Sequence, residues 1–176
     1  MEKEELEFRK IVLNEIEEAF IILNDGKENL RNKGLSQWQN GFPNKKLLIK
    51  DIKKNILYGL FIKGVMVGIT AISNKVDPSY LNISGAWINN NNNYYTIHTL
   101  AIKKEYLGKG FSIIIIKNAI EIAKNNKFVS IRIDTHVDNK AMIHIIEKLE
   151  FVFCGTITLI DEIFDNKRIA YEKILY

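Results

Sequence analysis

The stretch that most constrains this chain runs from Thr96 to Lys124, TIHTLAIKKEYLGKGFSIIIIKNAIEIAK. A β-type run through Ile97, Leu100, Ala101 and Ile102 leads into a small glycine turn, Leu107-Gly108-Lys109-Gly110-Phe111-Ser112, and a helix-length apolar segment follows at once. Glycines at such a junction let the backbone lie close to a ligand, and the first N–H groups of a helix have no internal partners. Those free donors and the positive end of the helix dipole suit a phosphate group. The segment therefore reads as a pyrophosphate cradle.

Two familiar nucleotide patterns fail on spacing. A Walker-type loop needs Ser or Thr after its Lys, and Lys109 is followed by Gly110. A dinucleotide fingerprint needs a third glycine and an acidic residue about 20 positions on, but Ile113 stands where that glycine belongs. What remains resembles the first conserved segment of the GNAT superfamily of acyl-CoA-dependent N-acyltransferases. There a strand ending Leu-Ala-Val precedes Gln or Arg, two residues, Gly, one residue, then Gly or Ala. Here Leu100-Ala101-Ile102 ends the strand, Leu107 replaces Gln or Arg, Gly110 is the central glycine and Ser112 the last small position. A second segment, Ile131 to Phe151, resembles the family's next signature: a strand, an Asn (Asn139), and a helix closing on Leu149 and Phe151. Glu150 replaces the usual Gly, and Ile146 stands where many members carry Tyr. The two segments come in the family's order, about 30 residues apart, and the flanking elements extend the resemblance over nearly the whole chain.

Composition agrees with one ordinary α/β domain over residues 1–176, with 47% hydrophobic and 26% charged residues. No apolar run reaches the ~20 residues that span a bilayer, and MEKEELEFRK alternates charges without a signal-peptide core. A single Cys154 excludes an internal disulfide and a thiolate-cluster zinc site, so no metal is expected and a cytoplasmic protein is the simplest account. The net charge of +4 is spread along the chain, without the basic-plus-aromatic grouping of RNA binders or a zinc-finger spacing. Neither nucleic acid nor membrane is an expected partner.

Along the chain, Leu6 to Ile11 reads as a strand and Asn14 as the start of a helix striped by Ile16, Ala19, Phe20 and Leu23. A turn-rich stretch, Lys33 to Asn44, precedes a short helix over Lys46 to Asn55. Tyr58 to Ile62 and Val65 to Ile72 form a hairpin across Lys63-Gly64. A loop opens at Asp77-Pro78, and five asparagines, Asn89 to Asn93, make a low-complexity turn. Strand Tyr94 to Ile102, helix Gly110 to Lys124, strand Phe128 to Asp134 and helix Lys140 to Leu149 follow, then strands Phe151 to Leu159 and Arg168 to Leu175. The order β-α-α-β-β-β-α-β-α-β-β describes an α/β (α+β) domain around one central mixed sheet. The resemblance implies the same order, with a mostly antiparallel sheet, helices on both faces and a gap between the fourth and fifth strands for the pantetheine arm.

It also implies transfer of an acetyl group from acetyl-CoA to a primary amine, carried by a small molecule or a peptide. On that expectation the backbone of Leu107, Gly108, Lys109, Gly110, Phe111 and Ser112 holds pyrophosphate, while Leu100, Ala101 and Ile102 offer strand-like contacts to the arm. Asn139 contacts the arm, caps its helix, or does both. His98 is the candidate base for the incoming ammonium group, or else a hydrogen-bonded structural residue. Counting in twos places it on the face of Leu100 and Ile102, and imidazole titrates near operating pH. The Leu100 N–H is the candidate oxyanion donor. Ile146 cannot act as the acid; Tyr171 and Tyr106 are candidate substitutes. His136 serves either the substrate or the site loop, and His144 is a surface residue of the second-signature helix. Trp38 and Phe42 lie in the turn-rich stretch, which in the family walls the acceptor pocket; Trp38 is either that wall or a loop anchor. The rival expectation is a CoA-binding sensor or interaction module without catalysis. The closing strands can support a homodimer.

Overall fold

The computed structural model describes residues 5–176. Their contacts divide them into two compact units, one running to Ile72 and including Thr99–Asn118, the other comprising Ser73–His98 and Ala119–Tyr176. The elements are β1 (Leu6–Lys10), α1 (Ile16–Asn32), α2 (Lys45–Lys53), β2 (Leu57–Ile62), β3 (Val65–Ser73), β4 (Ser84–Gly85), β5 (Tyr94–Ile102), α3 (Phe111–Asn125), β6 (Ser130–Thr135), α4 (Lys140–Lys148), β7 (Val152–Thr158) and β8 (Lys167–Ile174). Strand order is β1-β2-β3-β5 on the side of the first unit and β5-β6-β8-β7-β4 on the side of the second. This is the expected mixed, mostly antiparallel sheet.

In the first unit, β1, β2 and β3 form antiparallel ladders, from Leu6↔Ile62 through Leu57↔Ala71. Side chains alternate along β5 beyond Thr99. Ala101 packs with Ala19, Ile22 and Leu23 of α1 and Leu48 and Ile52 of α2. Leu100 and Ile102 instead pack with Leu60, Val67, Ile115 and Phe111, the last two from α3. Helices thus cover opposite faces of this part of the sheet. The first helix begins later than expected. A single 3-10 turn, Leu13–Glu15, precedes α1, and the Glu15 carboxylate accepts the Val12 N–H at 2.9 Å while pairing with Arg9 at 2.8 Å. A charged acceptor held by an arginine displaces Asn14 as the start signal.

In the second unit, β5 and β6 are parallel, and β6, β8, β7 and β4 pair antiparallel. The short β4 is an addition to the expected order, so the fourth and fifth strands read from sequence are β5 and β6. Ser84 and Gly85 pair with Thr156 and Gly155. A Cβ on Gly85 would lie 2.2 Å from the Cys154 carbonyl oxygen, and one on Gly155 would lie 2.2 Å from that of Ser84. Two facing glycines make this pairing possible, yet they carry no apolar alternation by which a strand is read.

The centre of this unit is polar. Arg132, 3% exposed, pairs with Glu172, 0% exposed, at 2.9 Å and lies between the rings of Trp87 and Tyr94. Glu172 also accepts the N–H groups of Ile88 and Asn89 at 2.7 and 3.0 Å. Asn89 is itself buried, with its amide on Asn93 and Ser130. The asparagine run is therefore tied at its first residue into the centre of the unit, beyond the plain turn expected of it.

Candidate active site

The glycine turn is built as a row of main-chain donors. A 3-10 turn over Lys104–Tyr106 uses the N–H groups of Tyr106 and Leu107, which donate to Lys103 and Lys104. The chain then passes through Gly108 and Gly110, with φ of 74° and 81°, values that admit glycine without strain. Ile113 and Ile114 donate back to the Gly110 carbonyl at 3.1 and 3.4 Å. Among the described residues, no acceptor is recorded for the N–H groups of Gly108, Lys109, Gly110, Phe111 or Ser112. Leu107 to Gly110 are exposed and Phe111 and Ser112 half-buried, at the start of a 15-residue helix. The Leu107 side chain is 37% exposed and is not required by the row. Residues Leu107, Gly108, Lys109, Gly110, Phe111 and Ser112 thus lie together in one turn, exposed through Gly110 and half-buried at Phe111 and Ser112.

His98 belongs to a different arrangement, made wholly within the second unit. Its Nε2 lies 2.8 Å from Asp77 Oδ2, and its Nδ1 lies 3.6 Å from Asp134 Oδ1. The same Asp134 oxygen accepts the Tyr80 hydroxyl at 2.6 Å, and the Tyr80 ring stands 5.7 Å from the imidazole. Asp77 is fixed in turn: its Oδ1 accepts the Ser79 N–H at 2.8 Å, and its own N–H donates to the Tyr94 hydroxyl at 3.2 Å. Burial pushes the Asp77 carboxyl up, but the hydrogen bond and charge of His98 and the Ser79 N–H outweigh it, leaving the group below the usual carboxylate range. Burial and the negative charge of Asp134 push the Tyr80 phenol well up, so it stays a neutral donor.

The chemistry follows from that geometry. With Asp77 ionised and accepting, Nε2 is the donor of that bond, and Nδ1 faces the Asp134 carboxylate. The His98 side chain is 31% exposed and reachable, whereas Asp134 is 8% exposed. The arrangement can take a proton from a cation drawn in by two carboxylates.

The alternation by which His98 was placed is interrupted at Thr99. Thr99 has φ of 55°, a left-handed value rare for a β-branched residue, so counting in twos back from Ile102 does not carry through to His98. His98 is instead placed by its own unit, in the series Tyr94, Thr96, His98, whose outer members both stand beside Tyr80. A left-handed threonine costs about 1–3 kcal/mol and marks the residue next to the imidazole as held in place by its surroundings.

The other candidates fall as follows. Asn139 is 8% exposed and its side chain caps α4, accepting the Met142 N–H at 3.2 Å. His136 has both nitrogens engaged, Nε2 with Asp165 at 3.0 Å and Nδ1 with the Asp138 N–H at 3.1 Å, which ties the loops together. His144 is exposed on α4, and Ile146 on the same helix is fully buried. Tyr171 is buried against Phe153, and Tyr106 packs on Phe111. Trp38 is packed on the core beside α1 and α2, as a loop anchor, and Phe42 is half-buried just before a cis Pro43. Asp77, Tyr80 and Asp134 were not singled out by sequence reasoning; only the Asp-Pro start of the loop hinted at a fixed carboxylate.

A family model described as the acetyltransferase (GNAT) family matches residues 27–151. No curated protein sequence matches the chain. Among solved structures, a GNAT-family acetyltransferase from Streptococcus agalactiae is 29% identical, covering 96% of this chain and 95% of its own, with a TM-score of 0.86. PaiA N-acetyltransferase from Thermoplasma acidophilum, solved in complex with coenzyme A, is 17% identical over 96% and 98% of the two chains, with a TM-score of 0.71. The ribosomal-protein-S18-alanine N-acetyltransferase of Escherichia coli is 12% identical over 97% and 94%, with a TM-score of 0.68. The last two likenesses speak for the fold. Matched over most of its length by the family's sequence pattern and sharing its fold with solved members, this chain belongs to the acetyltransferase (GNAT) family.

Proposed function

We propose that this protein is an N-acetyltransferase that moves an acetyl group from acetyl-CoA to a primary amine by direct attack, working in the cytoplasm. The observation that carries the reading is His98 set between two carboxylates, Nε2 at 2.8 Å from Asp77 and Nδ1 at 3.6 Å from Asp134. Acetyl-CoA, when bound, supplies the activated acetyl group. The fit of this chain to it rests on the N–H groups from Gly108 to Ser112, at the positive end of α3, which suit a diphosphate. Main-chain groups of Leu100, Ala101 and Ile102 are the strand-like partners of the arm, and Asn139 orients the start of α4 beside it.

An amine with a pKa of about 10 arrives as a cation, and the carboxylates of Asp77 and Asp134 favour it electrostatically. His98 Nδ1 accepts its proton, Asp77 stabilises the imidazolium, and Tyr80 holds Asp134 in place. The Leu100 N–H is the donor for developing negative charge on the carbonyl oxygen. Trp38 and Phe42 belong to the acceptor wall through the loop they anchor, and His136 through the loop it ties.

A second reading, a CoA-binding module without turnover, is favoured by one observation: Ile146 is fully buried in α4 and offers no phenol there. Free-thiol release from acetyl-CoA over a panel of amines, beside calorimetry with CoA alone, separates the two. Turnover with any primary amine supports the enzyme. Binding without turnover supports the module, and absence of binding removes both.

A further inference from the structure

A cavity of about 260 Å³ opens within the second unit, walled by Tyr80, Trp87 and Tyr94, with the buried Arg132 and the exposed Asn90 and Asn92 in its lining. It is smaller than the ~300–1,000 Å³ of drug-sized sites, so it suits a compact ligand.

The polar tips of its aromatic wall are engaged. The Tyr80 hydroxyl donates to Asp134 at 2.6 Å, the Trp87 indole N–H donates to the Tyr80 carbonyl at 2.9 Å, and the Tyr94 hydroxyl accepts the Asp77 N–H at 3.2 Å. Arg132 is different. Its two faces are covered by Trp87 and Tyr94, at 4.0 and 3.8 Å from the ring centroids. Its Nε donates to Glu172 at 2.9 Å and its Nη2 to the Asn89 carbonyl at 2.7 Å. Among the described residues Nη1 has no acceptor, although the residue is only 3% exposed. A guanidinium is a planar fork of donors, and an unmet donor is costly in a buried setting. With both faces and two of its three nitrogens occupied, Nη1 is the part of Arg132 left to line the cavity.

Charge decides what can answer that donor. Arg132 is already neutralised by Glu172, and the lining includes no other charged side chain. A carboxylate would approach a neutral pair, with Asp134 at the hydroxyl end of Tyr80, and would gain little attraction. An ammonium would meet the guanidinium itself. A neutral carbonyl oxygen meets only a donor. The carboxamides of Asn90 and Asn92 offer both donors and acceptors to an amide, and the rings take a flat apolar body.

We propose that this cavity is a binding site for a small neutral carboxamide, its carbonyl oxygen accepting from Arg132 Nη1 and its body lying against Trp87 and Tyr80. The site is independent of the acetyl-transfer reading, since neither His98 nor the glycine turn lines it.

Benzamide, benzoate and benzylamine carry the same ring and differ in the group that would face Arg132. Titrated separately into isotope-labelled protein without acetyl-CoA, benzamide should give saturable NMR shifts at the Arg132 guanidinium and Trp87 indole N–H resonances, with a dissociation constant on the order of 1 mM. Benzoate and benzylamine should bind about tenfold more weakly or less. Replacing Arg132 would also release Glu172, so the variant is Ala86→Phe, which fills the lining from an exposed position and keeps the ion pair. It should weaken benzamide by about tenfold or more. No saturable shift with benzamide, shifts that leave Arg132 and Trp87 untouched, equal binding of benzoate or benzylamine, or undiminished binding by Ala86→Phe would each overturn the assignment.

Discussion

The glycine turn and the His98 cluster make an instructive pair. The turn is built from consecutive residues and works through main-chain N–H groups, so side-chain identity matters little: Leu107 is exposed, and what the row requires is φ of 74° and 81° at two positions. The cluster is built from Asp77, Tyr80, His98 and Asp134, drawn from one loop and two strands, and under the proposed reading it works through side-chain atoms. A site made of backbone tolerates substitution of side chains and fails with backbone strain. A site made of side chains fails with single atoms.

The largest effect expected from this contrast is on His98. Replacing it by Ala should slow thiol release by about 10²–10⁴-fold with CoA affinity unchanged, and an unaltered rate would remove it from the mechanism. Next comes Asp77→Asn, which keeps shape but loses the charge behind the imidazole, with an expected fall of about tenfold to a hundredfold in kcat/KM. The same variant has a stability signature. Because the Asp77 carboxyl lies below its ordinary range when folded, its stabilising share is present above the unfolded-state value and fades as pH falls through the depressed one. Wild-type melting temperature should therefore drop more steeply than that of Asp77→Asn below about pH 4.

On the backbone side, Gly110→Ala imposes a left-handed alanine worth about 1–2 kcal/mol, and CoA affinity should weaken by about tenfold in calorimetry with His98 chemistry intact at saturation. The smallest effect belongs to Leu107→Ala, expected within about twofold for CoA. A large loss there would show that the turn depends on its side chains after all and would erase the contrast.

The same division explains what could be read in advance. The strand Tyr94–Ile102 was legible to the residue, and α4 to within one, because apolar periodicity and glycine placement are local signals. The free donors of the turn follow from the same local rules. Nothing local announces that Tyr80 reaches Asp134 across 54 positions, or that Asn89, one of five like residues, is the buried one. Thr99 was hidden for a different reason: a threonine in a strand looks ordinary, and only its surroundings turn it left-handed. That one residue interrupts the alternation next to His98. The two-residue β4 is set by a pair of glycines 70 positions apart, Gly85 and Gly155, which no periodicity links.

The buried pair of Arg132 and Glu172 has a bearing on the cluster side of this contrast. Removing either partner should cost about 3–5 kcal/mol, since it strands a charge among aromatic rings. A slip of β6 by one position against β8 would do the same, because it would turn Arg132 to the opposite face. The ion pair thus works as a key for strand alignment. It fixes which face of β6 carries Arg132 together with Asp134, and so the face on which the Asp134 carboxylate meets Tyr80.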